Sequence, residues 1–431
     1  MSIKYIDVIG HGGREDAICK KLSSEGHITF KRSYTKIDLP EHKVADFVVV
    51  GPEEPLHLGI VDEYAEKYPD VKIVGPTKLA ARLETSKLWA KQFMQRNNIP
   101  TPRWFVYDKN PDGMNQALID LDIYRNNRPH KIVSVSPLDL ENPYYPIVIK
   151  EDGLCGGKGV FIAKSKEEAW KQIPQTFLLN KFQEQSKKVL IEDFIEGIEA
   201  SCFVLCDGVN YKILPYCKDY KKLKKGDKGP NTGGMGAVVP HPLMHNTNSE
   251  LKNKIEQTII KPTLKGMQEE GIPYKGILYI GLIIDAHNEP HVLEYNVRFG
   301  DPECQVLMHH MKSDLFPYLE AISAQNLVWP CSLNELPDPE FYDGFSVTVA
   351  LCSKGYPNEY RIGKKITILP INNPNVTIHH VGLNHDTTES GRVMYITGRG
   401  NTISYARHAV YDAIQKISFE GMIYRTDIGV F

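Results

Sequence analysis

The sequence predicts a multidomain α/β protein, with an open parallel α/β domain at the N-terminus, an α+β middle and a small antiparallel α+β domain at the C-terminus. Three observations carry this. A chain of 431 residues is too long for one hydrophobic core, so roughly two to four domains are expected. Residues 1 to about 100 alternate strand and helix signals, the pattern of a parallel sheet with helical crossovers. The last part of the chain carries short strand runs closed by a single helix, the pattern of an antiparallel sheet.

In order, Tyr5 to Ile9 reads as a strand, Arg14 to Ser24 as a helix, Phe47 to Val50 as a buried strand, Ile60 to Lys67 as a helix and Val71 to Val74 as a strand. A helix from Leu79 to Asn97 follows, ended by Ile99-Pro100-Thr101-Pro102. Residues 108–146 are polar and punctuated by proline, and read as a surface insertion. Ile147 to Lys150 and Val160 to Ala163 are strands joined by a glycine loop, and Val189 to Ile191 is another strand. An α+β segment runs to about residue 326. Phe345 to Cys352, Thr377 to Val381 and Val393 to Thr397 then supply strands, and Ser404 to Ile417 a helix.

Composition narrows the function. The chain is 42% hydrophobic and 24% charged with a formal net charge of -2, which gives no reason to expect a nucleic-acid or membrane partner. No apolar run reaches the roughly 18 residues of a membrane helix. The N-terminus reads as a short strand rather than a signal peptide. The eight cysteines show no CxxC pair or regular spacing, so free thiols in a reducing cytoplasm are expected.

Two stretches carry most of the chemistry. In Leu293-Glu294-Tyr295-Asn296-Val297-Arg298-Phe299-Gly300-Asp301-Pro302-Glu303, Glu294 and Asn296 stand at i and i+2 and face one side of a strand. A carboxylate and an amide oxygen suit Mg²⁺, which takes hard oxygen ligands and leaves positions for phosphates and water. Asp301-Pro302-Glu303 has the chemistry of a helix N-terminus, a natural place for a phosphate, with Arg298 between it and the metal ligands. The second stretch, Gly229 to Gly236, is a loop dense in glycine around Asn231 and Thr232, which lets backbone approach a small ligand closely.

Other motifs are less specific. Gly153-Leu154-Cys155-Gly156-Gly157-Lys158-Gly159 joins two strands and lacks the Ser or Thr and the helix of a Walker A loop. Two readings are open: a mobile lid over ATP phosphates, with Lys150 and Lys158 supplying charge, or an ordinary flexible hairpin. The link after Val189 to Ile191 can present a peptide edge to adenine, with Glu199 accepting from ribose, or be an acidic surface turn. Gly10-His11-Gly12-Gly13-Arg14-Glu15 has Glu15 where a dinucleotide fingerprint has its third glycine, so NAD is not expected; a phosphate at the helix start, assisted by Arg14, remains open. Val50 to Pro55 ends another strand at the ligand-binding edge of the same sheet. His309-His310 and His379-His380 lack metal-ligand spacing.

These pieces together resemble the ATP-grasp ligases, and within them the glycinamide ribonucleotide synthetases. The resemblance rests on Gly10 to Glu15, Val50 to Pro55, Gly75-Pro76-Thr77, Leu83 to Lys87, Val148 to Val160, Glu192 to Ser201, Gly229 to Gly236, Glu294 to Glu303, Gly355-Tyr356-Pro357 and Gly391-Arg392-Val393, and spans nearly the whole chain. It implies an N-terminal domain at 1–100, an ATP-grasp domain of two α+β subdomains at 101–326 with a lid at about 121–193, and a C-terminal domain at 327–431. It also implies a cytoplasmic enzyme, a monomer or weak homodimer, that links glycine to 5-phosphoribosylamine using ATP and Mg²⁺ or Mn²⁺. Glu294 and Asn296 are then the metal ligands. Lys150 and Lys158 lie near the phosphates, Gly156 and Gly157 bind the nucleotide, Lys87 adds charge near it, Glu192 and Ile195 lie at the adenine, and Glu199 at the ribose. Arg298, Gly300 and the loop with Asn231, Gly233 and Gly234 frame glycine and its acyl phosphate; Arg298, Lys158 and Asp301 are the catalytic candidates; Gly12, Gly13 and Glu53 face the phosphoribosylamine.

The chain departs from that family at Asp16, where histidine is usual, and between Ile28 and Pro40, which lacks the Pro-Gly-Asn-Ala-Gly segment. Its segment before Ile147 is also long, and Gly276 to Ile284 carries no carboxylate of the kind wider relatives use as a first metal ligand. A related ligase with another amine acceptor and a nucleotide-binding protein without turnover are the alternative readings.

Overall fold

The computed structural model describes residues 2–34, 45–124, 145–155, 159–178, 187–244, 249–323 and 332–431. Phe47 to Val50 are all buried, as expected of a strand covered on both faces. They lie within a four-stranded parallel sheet of order Ile28–Arg32, Tyr5–Ile9, Phe47–Val50 and Lys72–Val74. Winding reverses between the two middle strands. Open sheets keep a crevice at such a switch point, beyond the C-terminal ends of the strands. The loops that line it here are 10–12 and 51–52.

Next comes an antiparallel sheet of order Trp104–Asp108, Lys188–Asp193, Ile147–Glu151 and Val160–Ala163. Helices Pro111–Tyr124 and Lys166–Leu178 cover it through Ala117, Ala169, Ile173 and Phe177. A third sheet, also antiparallel, has the order Tyr211–Ile213, Ile198–Asp207, Lys275–Ile284 and Pro290–Asn296. Its last pair has an irregular register between Gly281 and Leu282, opposite Glu294, and such bulges re-aim side chains. In the fourth sheet, Lys218–Asp219 and Gly236–Val239 from the middle of the chain pair with Phe345–Ser353, Arg392–Gly400 and Val376–His380. Helix Ile403–Ile414 packs on it through Ala406, Val410, Ala413 and Ile414.

The structure differs from the sequence-based elements in places. The helix expected over 79–97 is two helices, Arg82–Thr85 and Lys87–Arg96. Ser86 is extended between them, and its hydroxyl accepts from Trp89 N at 3.1 Å, a cap that starts a new helix where periodicity alone suggested continuity. Part of the polar stretch 108–146 is the helix Pro111–Tyr124; residues 125–144 lie outside the described residues. The last helix ends at Ile414 rather than 417, and Ile417–Ser418 forms a short strand. All seven described cysteines are free thiols. Among the described residues no helix is long and apolar enough to cross a membrane.

The N-terminal helix Gly13–Ser24 leans directly on the C-terminal sheet. Asp16 accepts from His380 N at 3.2 Å and pairs with Lys20 at 2.9 Å and Lys31 at 3.2 Å. Burial opposes its charge, but His379, Lys20 and Lys31 outweigh that and hold the carboxyl well below its usual range. Gly382 N donates to His11 O at 2.7 Å, and Lys31 Nζ donates to Gly382 O at 3.0 Å. A Cβ on Gly13 would land inside the ring edge of buried Tyr395 and on the amide of Gln305. Gly13→Ala is therefore expected to lower stability by about 1–3 kcal/mol, the usual range for overpacking. Urea unfolding checks this; an unchanged midpoint would mean that the two faces are not in contact.

Candidate active site

The strand Pro290–Asn296 ends where three parts of the chain meet. Pairing opposite Gly281 and Tyr279 sets Glu294 and Asn296 on one face, as the spacing requires. Immediately after it, Arg298 is largely buried and makes four hydrogen bonds. Its Nε donates to Glu53 at 3.1 Å, Nη2 to Glu84 at 2.8 Å and to Asn296 Oδ1 at 3.1 Å, and Nη1 to Phe299 O at 3.1 Å. Arg14 Nη1 donates to that same carbonyl at 3.0 Å. Glu53 belongs to the switch-point crevice of the parallel sheet, so Arg298 joins the crevice to the Glu294–Asn296 face.

One cation here serves two carboxylates, and they divide unequally. Burial works against ionising Glu53, but Arg298 and Arg14 prevail and hold its carboxyl down at about 2. At Glu84, burial dominates, reinforced by the charge of Glu53, and pushes its carboxyl up to about 7 despite Arg298. Glu84 also accepts from Val297 N at 2.7 Å. It was not among the candidates from sequence, although Leu83 to Lys87 had been noted as a matching segment.

The nucleotide-side candidates are placed as follows. Lys150 Nζ donates to Glu192 Oε2 at 2.9 Å and to Leu293 O at 3.1 Å. A second lysine, Lys91, reaches the same oxygen at 2.8 Å and Thr101 Oγ1 at 2.7 Å. Glu192 is therefore turned inward as counter-ion to two lysines and remains ionised against the effect of burial, with Lys150 the stronger influence. Its carboxylate is thereby committed to the two lysines, while its backbone stays near the end of the strand Lys188–Asp193, beside the link whose peptide edge is the adenine candidate. Lys91 went unnoticed because one lysine in a helix has no pattern; burial lowers its pKa to about 8. Lys87 Nζ donates to Gly153 O at 2.7 Å and so touches the glycine loop. Ile195 is half-buried and Glu199 exposed on the link and the strand that follows. Gly156, Gly157 and Lys158 lie outside the described residues.

On the opposite side, the 229–236 loop is held from the C-terminal sheet. Arg392 Nη1 donates to Gly233 O, at 2.6 Å, and to Asp301 O, at 2.8 Å, and its Nη2 lies 3.4 Å from Asp301 Oδ2. Gly233 N donates to the Tyr356 hydroxyl at 2.9 Å, and Gly234 N to Thr232 Oγ1 at 3.0 Å. Gly234 has φ +114° and rests on Pro302, so only glycine fits there. Asn231 is half-buried at the end of the strand Lys228–Asn231. Gly300 lies against the carboxylate of Glu303, which accepts from Ser201 Oγ at 3.1 Å.

Two expected helix starts behave differently from their sequence signals. Helix Glu303–His310 has no side-chain cap, and Asp301 Oδ1 instead accepts from Gln305 Nε2 at 2.9 Å. Arg392 makes the larger claim on this carboxylate and keeps it ionised against burial. Gly12 opens the helix Gly13–Ser24, and Glu15 folds its carboxylate into the niche between Gly10, Gly12 and Gly51, with Arg14 Nε donating to it at 2.7 Å. The place left open for a phosphate at this helix start already holds an anion of the chain, and Arg14 is committed to it.

The residues present fit a divalent cation. Glu294 and the carbonyl of Asn296 are hard oxygen donors on one face, and Glu294 is partly exposed. Facing them are Asp219 and Lys221, neither of which the sequence had singled out. Burial pushes the Asp219 carboxyl up to about 8, Lys221 opposing.

Residues 4–84, 85–304 and 346–430 match the N domain, the ATP-grasp (A) domain and the C domain of phosphoribosylglycinamide synthetase. A phosphoribosylamine–glycine ligase of Chlorobaculum tepidum is 40% identical over 400 residues, 91% of this chain and 86% of that protein. One from Ralstonia nicotianae is 36% identical over 452 residues, covering 98% of both. The crystal structure of the Thermotoga maritima phosphoribosylamine–glycine ligase superposes with a TM-score of 0.76 at 30% identity, covering 98% of this chain and 99% of that one.

The divided carboxylates yield a prediction. Glu84 has a raised pKa, so the stability its protonated form contributes is full below about 4.5 and is lost as pH rises through about 7. Glu84→Gln does not ionise, so its stability relative to the parent protein should climb between pH 5 and pH 8. Thermal melts across that range test this. A gap that stays flat would show that Glu84 titrates like an ordinary carboxylate.

Proposed function

The chain belongs to the phosphoribosylglycinamide synthetase family, and from that membership we propose that it links glycine to 5-phosphoribosylamine at this site, driven by ATP. ATP phosphorylates the glycine carboxylate to glycyl phosphate and leaves as ADP. The amine of phosphoribosylamine attacks the acyl carbon, phosphate departs, and glycinamide ribonucleotide forms, a step of de novo purine biosynthesis. The observation that carries this reading is the meeting at Arg298 of the Glu294–Asn296 face with the crevice lined by Glu53. It gives phosphoryl transfer and amine attack a shared boundary.

In this reading Lys150, Lys87 and Lys158, with Gly156 and Gly157, attend the phosphates of ATP; Ile195 and the link around it meet adenine; Glu199 meets the ribose. Glu294 and Asn296 hold Mg²⁺ or Mn²⁺. When bound, the metal neutralises phosphate charge and orients the transferring group. Gly300, Asp301 and the loop with Asn231, Gly233 and Gly234 surround glycine, with Arg392 fixing that loop from behind. Arg298 supplies a permanent positive field at the acyl phosphate. Because its own donors are engaged, this is preorganised electrostatic stabilisation rather than a newly formed clamp. Gly12, Gly13 and Glu53 face the phosphoribosylamine. Catalysis here is positioning and charge neutralisation, with no covalent enzyme intermediate.

The chain then divides near residues 100 and 326, with the lid within about 121–193. We place it in the cytoplasm as a monomer or weak homodimer without nucleic-acid or membrane partners, for which a net charge of -2 gives support.

ADP release from protein supplied with Mg-ATP, glycine and freshly generated phosphoribosylamine, each omitted in turn, tests the reading. Dependence on all three is the expected result. A requirement for glycine but not phosphoribosylamine would assign a different amine acceptor. Glu294→Gln should cut turnover by at least about 100-fold, as expected for loss of a metal ligand worth several kcal/mol to the transition state. The fold should remain intact because the side chain is partly exposed. Full activity of that variant at saturating Mg²⁺ would displace the metal site from this strand.

A further inference from the structure

The ammonium of Lys221 lies among three carboxylates: Glu294 at 3.7 Å, Glu199 at 3.9 Å and Asp219 at 4.0 Å. Every one of these distances is longer than a hydrogen bond, so the lysine is held by charge and is not locked to a single partner. Its backbone is fixed, since Thr232 N and Thr232 Oγ1 both donate to Lys221 O at 2.8 Å. Its side chain is a little over one-third exposed at 37%, so it can move without opening the core. Asn296 Oδ1, the other oxygen of the same face, accepts from Arg298 at 3.1 Å, while Asn296 Nδ2 is buried with no partner among the described residues.

We propose that Lys221 is a built-in counter-ion of the metal site, neutralising Glu294 and its neighbours in the ligand-free protein and giving way when a divalent cation binds. This rests on the reading of Glu294 and Asn296 as metal ligands. Without a cation, the carboxylates of Glu294 and Glu199 repel each other across this face, and the lysine between them relieves that repulsion. A divalent ion at Glu294 does so more strongly, and it repels an ammonium held 3.7 Å from the same carboxylate. The displaced ammonium then needs another anion, and the phosphates that come with the metal have the right charge. Lys221 thereby makes metal binding without nucleotide weak and couples the arrival of the two.

The test is Mn²⁺ binding to the nucleotide-free protein, followed by the paramagnetic resonance of free Mn²⁺. Ion pairs at this exposure are individually modest, so Lys221→Met should tighten Mn²⁺ by about tenfold. Lys221→Gln should do the same and serves if the first variant does not fold. Lys221→Arg, which keeps the charge, and Lys225→Met, which removes an exposed charge four residues further along the chain, should both bind like the parent protein. Parent-like affinity in folded Lys221→Met or Lys221→Gln overturns the inference, as does equal tightening in Lys225→Met. Glu294→Gln separates this from the metal assignment itself. If that change weakens Mn²⁺ binding while Lys221 variants have no effect, only the counter-ion role fails. If Glu294→Gln has no effect in any background, the metal assignment fails and takes the counter-ion role with it.

Discussion

The arrangement depends on one buried guanidinium. Arg298 binds a carboxylate from the switch-point crevice, a carboxylate from the helix that leaves the first sheet, and the amide at the end of the third sheet. Burying such a charge is unfavourable unless its hydrogen-bonding groups are satisfied, and removing one partner from such a set is more disruptive than replacing the whole set. Three segments distant in sequence are therefore obliged to stay in register. With two carboxylates around one arginine, full ionisation would leave excess negative charge beside it. Glu84 resolves this by holding its proton into the neutral range, while Glu53 carries the pairing charge.

The C-terminal sheet extends that logic. It draws its edge from the middle of the chain, through Lys218–Asp219 and Gly236–Val239. The loop between those strands is thus anchored at both ends in a sheet that otherwise belongs to the last part of the chain. Arg392 then gathers carbonyls from Gly233 and Asp301 at once, which a flexible lysine could not do with comparable geometry. At the far side, Asp16 and Lys31 tie the first helix to the same sheet. Asp16, the residue that departs from the family pattern, is a structural bond between the first helix and the C-terminal sheet.

What was legible in the sequence was local. The strand periodicity of Tyr5 to Ile9, Val160 to Ala163 and Gly276 to Ile284, and the i, i+2 placement of Glu294 and Asn296, depend only on near neighbours and are found as expected. What was not legible was long-range pairing. Glu192 faces Lys91, 101 residues away, and Arg298 faces Glu84 across 214. No spacing rule connects such pairs, since the fold alone brings them together. Helix starts misled for a related reason. The sequence of Asp301 and of Gly12–Gly13 has the chemistry of a cap or an anion cradle, but nearby side chains, Gln305 with Arg392 in one case and Glu15 in the other, had already claimed the groups.

This prior pairing is general in the site. Glu192 answers Lys150, Glu15 answers Arg14, Asp301 answers Arg392 and Lys221 answers Glu294. Bare charges at these positions would repel one another and be heavily solvated, and binding would have to strip that water away. Internal partners replace water with fixed dipoles and charges, so the reorganisation has largely been made during folding. The consequence is selective. A lone anion or cation finds each complementary charge already satisfied and gains little. On the proposed reading of Glu294 and Lys221, a metal–nucleotide complex, which brings both signs together, exchanges partners with both in a single rearrangement. A site built in this way responds to the assembled reagent more strongly than to its parts, which suits a reaction whose acyl phosphate would be lost to water if made before the amine was in place.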